Sequence, residues 1–227
     1  MSARPARRFV SFALLAAAAL ASIGLASAQA PSPAPRLKYE YELLPQPQPV
    51  ATGERVEVVE FFWYGCPHCN NLQPSLESWL KLKPADVELR RVPAVFRESW
   101  IPHARLYYTL EALGELPRLH QSVYRAIHFE KESLTTASTS GDWASRQGVE
   151  PARWLAAYNS PEVERKVQES RGLTKAYAVP GTPSLVVDGR YLTSSSMAES
   201  MPGVITILDG LIVMAREQRA KKVTTRP

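Results

Sequence analysis

The sequence of 227 residues predicts an α/β fold in which a run of helices is inserted between two parts of one sheet. A strand, a helix and a second strand follow one another between residues 55 and 96, which is the pattern of a βαβ unit. Residues 99–178 then show helical spacing without strand signals. A strand–turn–strand pattern and a closing helix follow from Pro183 onward.

The first 28 residues have the order of a secretory signal peptide. Three arginines among the first eight residues precede an uncharged Ala- and Leu-rich run over 9–25, and Ala26-Ser27-Ala28 is a small-x-small cleavage site. We expect cleavage after Ala28 and export of the mature protein. The alternative is an uncleaved membrane anchor, because the apolar run is nearly long enough to span a bilayer. The Pro-rich residues 29–38 are predicted to be a disordered linker.

The charge balance changes when the signal peptide is removed. The chain has 27 basic and 22 acidic residues, and loss of the three arginines leaves 24 against 22, a net charge of +2. No basic stripe is interleaved with aromatic residues, so the sequence argues against a nucleic-acid-binding function.

The first strands and their helix are predicted between residues 39 and 98. Tyr39–Leu43 alternates in polarity and precedes prolines, which is typical of a short edge strand. Arg55–Trp63 is apolar on both faces, as in a central strand covered on both sides. A helix begins at the cysteines, with Pro67 at an early position where its missing N–H has no cost, and Pro74 is expected to kink it. Val87–Phe96 is the next strand.

The rest of the chain divides into an insertion, a second sheet part and a tail. Apolar spacing and helix-starting prolines predict five helices in the insertion, over 101–113, 119–127, 142–147, 151–158 and 161–177. Asp188-Gly189 predicts a type I′ turn in a hairpin, and Ile205–Ala215 predicts an amphipathic helix. The expected division is therefore a first sheet part over 39–98, an inserted helical subdomain over 99–178, a second sheet part over 179–218 and a basic, frayed tail over 219–227.

The chain has two cysteines, Cys66 and Cys69, and both lie in one four-residue motif. Structural disulfides stabilise most when they close long loops, and a two-residue spacer closes almost none. An inert structural disulfide is therefore disfavoured. Half of a zinc site is also disfavoured, because zinc needs two further ligands and the sequence offers no other cysteine. The pair indicates thiol redox chemistry, with no metal and no cofactor.

The position of the motif at a helix start suits that chemistry. Unpaired N–H groups and the positive end of the helix dipole stabilise a thiolate on Cys66, and the thiolate is both the nucleophile and the good leaving group. Cys69 lies on the same side of the first turn and can close the ring. His68 adds a donor or a positive charge near the Cys66 sulfur. Stabilising the reduced form makes the disulfide a stronger oxidant.

Two segments resemble the DsbA family of bacterial periplasmic disulfide oxidases. Phe61–Cys69, with the sequence FFWYGCPHC, is similar to the family's active-site segment, and Val179–Pro183 is similar to the loop that carries its cis-proline. The resemblance implies a thioredoxin-like fold with an inserted all-helical subdomain. It also implies that Pro67 and His68 belong to the catalytic motif, that the bond before Pro183 is cis, and that Thr182 and Pro183 bind substrate.

Glu60 is a further candidate catalytic residue. It shares a strand face with apolar residues, so we expect it to be at least partly buried, although an acid at a strand edge reaching solvent is the alternative. The resemblance implies that Glu60 tunes the thiols or accepts the Cys69 proton, with Arg91 on the next strand as its partner. Gln73 departs from relatives that carry an acid at its position, which leaves the reduction potential open.

The resemblance implies a periplasmic thiol:disulfide oxidoreductase that donates its disulfide to newly exported proteins through a mixed disulfide at Cys66. Its partners are then folding proteins with free cysteines and a DsbB-like, quinone-linked membrane oxidase, and the protein is expected to be a monomer. An apolar groove bordered by Trp63, Tyr64 and the insertion is expected to accept them. Two alternatives stay open. One is an isomerase or reductase of the same fold, although residues 29–55 are too few for the dimerisation domain of such isomerases. The other is a non-catalytic folding adaptor.

Overall fold

The computed structural model describes residue 36 and residues 39–224, without the side chains of 222–224. The predicted signal peptide, the linker apart from Arg36 and the last three residues of the tail lie outside the described residues. The described residues belong to one compact unit. None of the helices they form combines the length and the apolar character needed to cross a membrane.

The described residues form one five-stranded sheet with the order β1-β5-β4-β2-β3. Its only parallel pair is β2 with β3, and the other neighbours are antiparallel. The predicted edge strand and central strand are thus both confirmed. The strands are β1 (Glu42–Leu43), β2 (Val56–Phe62), β3 (Val87–Pro93), β4 (Ser184–Val187) and β5 (Tyr191–Ser194).

All seven residues of β2 are buried, because apolar layers cover both of its faces. Val56 and Val58 pack in one cluster with leucines of the helix that begins at the cysteines and of the C-terminal helix. Val59 and Phe61 pack in another with Tyr177 at the end of the insertion. Successive side chains of a strand point to opposite faces of the sheet, so Glu60 lies on the same face as Val58, which the helix that begins at the cysteines covers.

Seven α-helices complete the described part of the chain. One follows β2, five form the insertion and one closes the chain. They are α1 (Pro67–Leu82), α2 (Ile101–Ala112), α3 (Leu116–His128), α4 (Ala137–Arg146), α5 (Pro151–Tyr158), α6 (Pro161–Ala176) and α7 (Met201–Thr224).

Helix α4 begins five residues before the predicted start at Asp142. Thr136 caps it, since its hydroxyl accepts the N–H of Thr139 at 3.0 Å and the Thr139 side chain accepts the Thr136 N–H at 3.2 Å. This is a reciprocal capping box with threonine in the position where glutamate or glutamine is usual. The apolar spacing alone therefore placed the start too late.

The insertion covers the buried side of the two cysteines. Its core contains Trp143 and Trp154 together with apolar residues of α2, α3 and α6, and the same cluster includes Phe62, Cys66 and Cys69. The helical insertion is therefore continuous with the sheet's core at the point where the thiols lie.

The C-terminal helix is longer than predicted. The tail expected from Arg219 is helical as far as Thr224, and Arg219 is not frayed. Its guanidinium donates to the Asp188 carboxylate at 2.5 Å and to the Glu54 carbonyl at 2.6 Å. These contacts tie the end of the helix to the β4–β5 turn and to the loop before β2.

The β4–β5 turn has the predicted conformation. Asp188 and Gly189 have φ values of 53° and 63°, and a type I′ turn requires positive φ at both central residues. The Arg190 N–H closes the turn by donating to the Val187 carbonyl at 3.0 Å.

Gly189→Ala is expected to destabilise the protein by about 2–3 kcal/mol. A Cβ at this position would lie 2.2 Å from the Gln48 carbonyl oxygen, in addition to the cost of positive φ. Gly114→Ala is the matched control, because Gly114 has a φ of 73° with nothing within 4 Å of a Cβ, and it should cost about 1 kcal/mol. Urea unfolding of both variants measures the difference, and equal losses would contradict the proposed clash.

Candidate active site

Cys66 lies at the junction between the central strand and helix α1. The Cys66 N–H donates to the Trp63 carbonyl at 2.9 Å, which closes the turn after β2. Cys66 is the N-cap with extended backbone, and Pro67 occupies the first turn of the helix. The helix starts at the predicted residue for the predicted reason, since proline is pre-shaped for that position. The Cys66 sulfur therefore lies at the positive end of a 16-residue helix.

The loop before β4 lies opposite the cysteines. Ser184 begins β4 and pairs with Phe61 near the end of β2, so the preceding residues are held beside the start of α1. The Thr182–Pro183 peptide bond is cis, which confirms that expectation. The Thr182 carbonyl oxygen lies 3.2 Å from the Cys66 sulfur, a distance at which it accepts a hydrogen bond when Cys66 is protonated. Thr182 and Pro183 are thus adjacent to Cys66, while their role in substrate binding stays a prediction.

The structure holds both cysteines as free thiols, and their surroundings differ. Cys66 is 7% exposed and its pKa is lowered to about 5. The main cause is the hydrogen bond from the Cys69 thiol, assisted by the Thr182 side chain and by the backbone N–H groups of Cys69 and His68. Burial opposes the shift, and the donors outweigh it. Cys66 is therefore a thiolate at neutral pH.

The pKa of Cys69 is shifted in the opposite direction from that of Cys66. Cys69 is fully buried, and burial raises its pKa well above the ordinary value. The hydrogen bond to Cys66, the Cys66 charge and the Glu60 charge raise it further. Cys69 is therefore a protonated thiol that donates to the Cys66 thiolate.

Pro67 and His68 are both exposed at the helix start. His68 acts on Cys66 through its backbone N–H. Within the described residues, no side-chain hydrogen bond joins the His68 ring to the Cys66 sulfur. The ring instead lines a groove with the cis-proline loop. The predicted donor near Cys66 is thus present as a main-chain group.

Glu60 is fully buried, which confirms its predicted burial and excludes the alternative of an acid reaching solvent. Its partner is the predicted one, because β2 and β3 place Arg91 directly opposite and the Arg91 Nε donates to the Glu60 carboxylate at 3.0 Å. Gln73 donates to the other carboxylate oxygen at 3.0 Å. Burial raises the Glu60 pKa, and the Arg91 guanidinium and the Gln73 amide oppose that rise. The contribution of Glu60 to the thiol chemistry stays a prediction.

Glu60→Gln is expected to move the Cys69 part of the thiolate absorbance titration to lower pH. The substitution removes a buried negative charge that raises the Cys69 pKa. Glu57→Gln is the matched control, because Glu57 is a fully buried acid on the same strand, paired with Arg90 at 3.1 Å. Titrations that coincide for wild type and Glu60→Gln would refute a role of Glu60 at the thiols, and equal shifts in both variants would show an unspecific effect of a lost buried charge.

The groove beside the active site differs from the expected one. It has a volume of about 460 Å³ and is lined by His68, the cis-proline loop and residues 194–196 and 198–201. Several serines and Glu199 line it together with Pro183, Ala198 and Met201, so the groove is part polar. The expectation that Tyr64 borders it was wrong, since Tyr64 is fully buried in the core of the insertion. Trp63 is half-buried and stacks on Trp100 at 4.2 Å between ring centroids.

Two histidines of α3 hold the segment before the cysteines, and the sequence did not assign them this contact. The Tyr64 hydroxyl and His120 Nδ1 are 2.8 Å apart, and His128 Nε2 lies 2.8 Å from the Tyr64 carbonyl oxygen. Burial lowers the His120 pKa well below its ordinary value, so this ring is neutral. The spacing of His120, Tyr124 and His128, four residues each, places them on one helix face and was the available signal.

The family comparison agrees with the geometry. The family model of the DSBA-like thioredoxin domain matches residues 57–204, a range that contains Cys66, Cys69 and Pro183.

The chain is similar to proteins named thiol:disulfide interchange protein DsbA. The one from Burkholderia cepacia is 38% identical over 169 residues, which cover 74% of this chain and 80% of the relative. The one from Bordetella pertussis is 41% identical over 167 residues, 73% of this chain and 79% of the relative.

Solved structures of DsbA proteins are also similar to this chain. The crystal structure of Pseudomonas aeruginosa DsbA superposes with a TM-score of 0.77 at 35% identity, covering 82% of this chain and 96% of that chain. The oxidoreductase DsbA from Xylella fastidiosa superposes with a TM-score of 0.73 at 32% identity, covering 78% and 96%. The thioredoxin-like fold with a helical insertion is therefore confirmed.

Proposed function

The chain belongs to the DsbA family of thiol:disulfide oxidoreductases, and on that basis we propose that it donates a Cys66–Cys69 disulfide to newly exported proteins in the periplasm. The observation that carries the proposal is the asymmetry of the two thiols. Cys66 lies at the helix start with a pKa of about 5, whereas Cys69 is fully buried with a raised pKa. The relatives do not favour an isomerase, a reductase or a non-catalytic adaptor.

The first step takes place at Cys66 because Cys69 is inaccessible. A thiolate of the client, meaning the reduced protein substrate, attacks the Cys66 sulfur and forms a mixed disulfide. The Cys66–Cys69 bond breaks, and its electron pair leaves on the Cys69 sulfur. Burial makes a Cys69 thiolate unfavourable, so this sulfur takes up a proton. The proton comes from solvent, and Glu60 is the buried carboxylate proposed to accept it from Cys69 when the enzyme is reoxidised.

The second step releases the client. A second client thiolate attacks the client sulfur of the mixed disulfide, and the Cys66 sulfur leaves as a thiolate. The client has then lost two electrons and gained a disulfide, and the enzyme holds the dithiol. The low pKa of Cys66 favours this step, because the leaving group is stable as an anion at neutral pH.

Thr182, Pro183 and the part-polar groove are the proposed client-binding surface. The Thr182 backbone lies within 3.2 Å of the Cys66 sulfur, so an extended client segment pairing with this loop would bring its thiol to Cys66. The serines of the groove offer hydrogen bonds to such a segment, and Pro183 and Met201 offer apolar contact.

Enzymes of this family act on substrate proteins and require an oxidase partner. For this chain we propose folding exported proteins with free cysteines as clients and a DsbB-like, quinone-linked membrane protein as the oxidase. We further propose that the protein works as a monomer and that its first 28 residues are the export signal. The proposed division is a first sheet part over 39–98, a helical insertion over 99–178 and a second sheet part over 179–218.

Trapping of the mixed disulfide tests the assignment of the two thiols. Reduced Cys69→Ala is incubated with a client that contains a disulfide, and the Cys66 thiolate is expected to form a covalent adduct that dithiothreitol releases. Cys66→Ala is the control and should form none, because the remaining thiol is buried and protonated at neutral pH. An adduct with Cys66→Ala and none with Cys69→Ala would overturn the proposal.

A further inference from the structure

Glu60 and four other side chains form a closed ring of hydrogen bonds. Gln73 Nε2 donates to Glu60 Oε1 and Arg91 Nε donates to Glu60 Oε2, both at 3.0 Å. Arg91 also donates to Glu77 Oε1 at 2.7 Å. Gln121 Nε2 completes the ring by donating to Glu77 Oε1 at 3.3 Å and to Gln73 Oε1 at 3.0 Å. The ring joins strands β2 and β3, helix α1 and helix α3 of the insertion.

The ring fixes which end of the Gln73 amide faces Glu60. The two ends of a glutamine amide are similar in size, so shape alone does not orient a buried one. Glu77 is half-exposed and accepts hydrogen bonds, so it attracts the NH₂ end of Gln121. The Gln121 NH₂ group also donates a hydrogen bond to the Gln73 side-chain oxygen. Because the Gln73 oxygen faces Gln121, the Gln73 NH₂ group at the other side of the amide faces Glu60.

This orientation acts on the charge of Glu60. Each carboxylate oxygen accepts a hydrogen bond from an N–H group, one from Gln73 and one from Arg91. A proton added along either of these directions would point at the hydrogen of the donor and repel it. The Gln73 and Arg91 donors therefore favour the ionised form, whereas burial and the nearby Glu77 charge favour the neutral form. If the Gln73 amide turned over, its oxygen could accept a hydrogen bond from a protonated Glu60.

The other titratable groups that face Glu60 do not supply this control. Tyr64, Tyr107 and Tyr124 are buried, and burial raises the pKa of each hydroxyl, so they stay neutral. Cys69 is protonated for the same reason in the reduced protein. Arg91 and Glu77 are the charged groups beside Glu60, and Gln73 is the neutral hydrogen-bond partner whose orientation can reverse.

We propose that Gln121, from the inserted helical segment, is a positioning residue that holds the Gln73 amide with its donor toward Glu60 and thereby keeps Glu60 ionised beneath the cysteines. Gln121 is exposed and lies 48 residues from Gln73, so it contributes through the ring and not through contact with the thiols. Its relevance to catalysis rests on the proposed function, in which Glu60 exchanges the proton of Cys69.

The test is a pH titration of the Glu60 carboxyl carbon by NMR, with the signal assigned through its loss in Glu60→Gln. Gln121→Leu removes the donor to Gln73 and should raise the Glu60 pKa by about 1, which is a tenfold change in the proton dissociation constant. Gln121→Glu places an acceptor against the Gln73 amide, which turns it over, and should raise the pKa at least as much. Gln168→Leu is the matched control, because Gln168 is an exposed glutamine of the insertion that donates to Glu164 at 2.8 Å. It should leave Glu60 unchanged.

A Glu60 titration in Gln121→Leu that matches wild type, or that shifts equally in Gln168→Leu, would overturn the positioning role. A thiolate absorbance titration of the same variants separates this inference from the proposed function. If the Glu60 carboxyl shifts while the thiolate titration does not, the ring acts as proposed and the role of Glu60 at the thiols is wrong. If the mixed-disulfide trapping at Cys66 fails, the proposed function is wrong whatever Gln121 does.

Discussion

Cys66→Ala is expected to lower the rate of client oxidation by at least about 10³-fold, because it removes the sulfur that forms the mixed disulfide. The remaining thiol, Cys69, is fully buried and protonated, and it cannot replace the lost one. The measurement is the rate at which a reduced client with two cysteines acquires its disulfide in the presence of the oxidised wild type or of the variant.

The same variant separates an enzyme from a folding adaptor. Binding of an unfolded client through the groove would survive in Cys66→Ala, since Cys66 is not among the residues that line the groove. Asn70→Ala is a suitable control for the substitution itself, because it alters the same helix turn without removing a thiol. Client oxidation that persists in Cys66→Ala would contradict the assignment of Cys66.

The reduced protein is expected to be more stable than the oxidised protein, by an amount that depends on pH. A thiol whose pKa falls from the ordinary 9.0 to about 5 in the folded protein stabilises the folded dithiol. The stabilisation is complete above the unfolded pKa, declines as the pH falls and is lost below the folded pKa near 5. At pH 7 it amounts to about 3 kcal/mol, or about 60 mV toward a more oxidising couple.

Denaturant unfolding of both redox forms between pH 5 and pH 9 checks this expectation. The difference between the two free energies of unfolding should grow by about 1.4 kcal/mol per pH unit over most of that range. Cys66→Ala carries no such thiolate and cannot form the disulfide, so its free energy of unfolding should not follow the slope of the reduced wild type. A difference that stays constant with pH in the wild type would show that the folded protein does not stabilise a Cys66 thiolate.

Local signals made several elements predictable. Pro67 after a glycine and a cysteine marks a helix start, and Asp188-Gly189 marks a hairpin turn, because each residue type fixes its own backbone conformation. The central strand and the burial of Glu60 followed from alternation along a strand that is apolar on both faces. The pairing of Arg91 with Glu60 was implied by the family resemblance, and the parallel register of β2 and β3 places the two residues opposite each other.

Features that depend on packing between distant segments were not predictable in this way. Tyr64 was expected to border the groove, yet the insertion encloses it, and His120 contacts its hydroxyl from 56 residues away. The contact of Gln121 with Gln73 likewise exists only because α3 packs against α1. Thr136 was missed as a helix cap because its partner is a threonine.

In the proposed function electrons flow from the client to the oxidised protein, and one measurement tests this direction directly. A reduced, unfolded client that needs a disulfide is refolded without oxygen, with and without a stoichiometric amount of the oxidised protein. We predict that the client acquires its disulfide only when the oxidised protein is present, while Cys66 and Cys69 become free thiols in equal amount. A client that stays reduced while the protein keeps its own disulfide would contradict the proposed oxidase function.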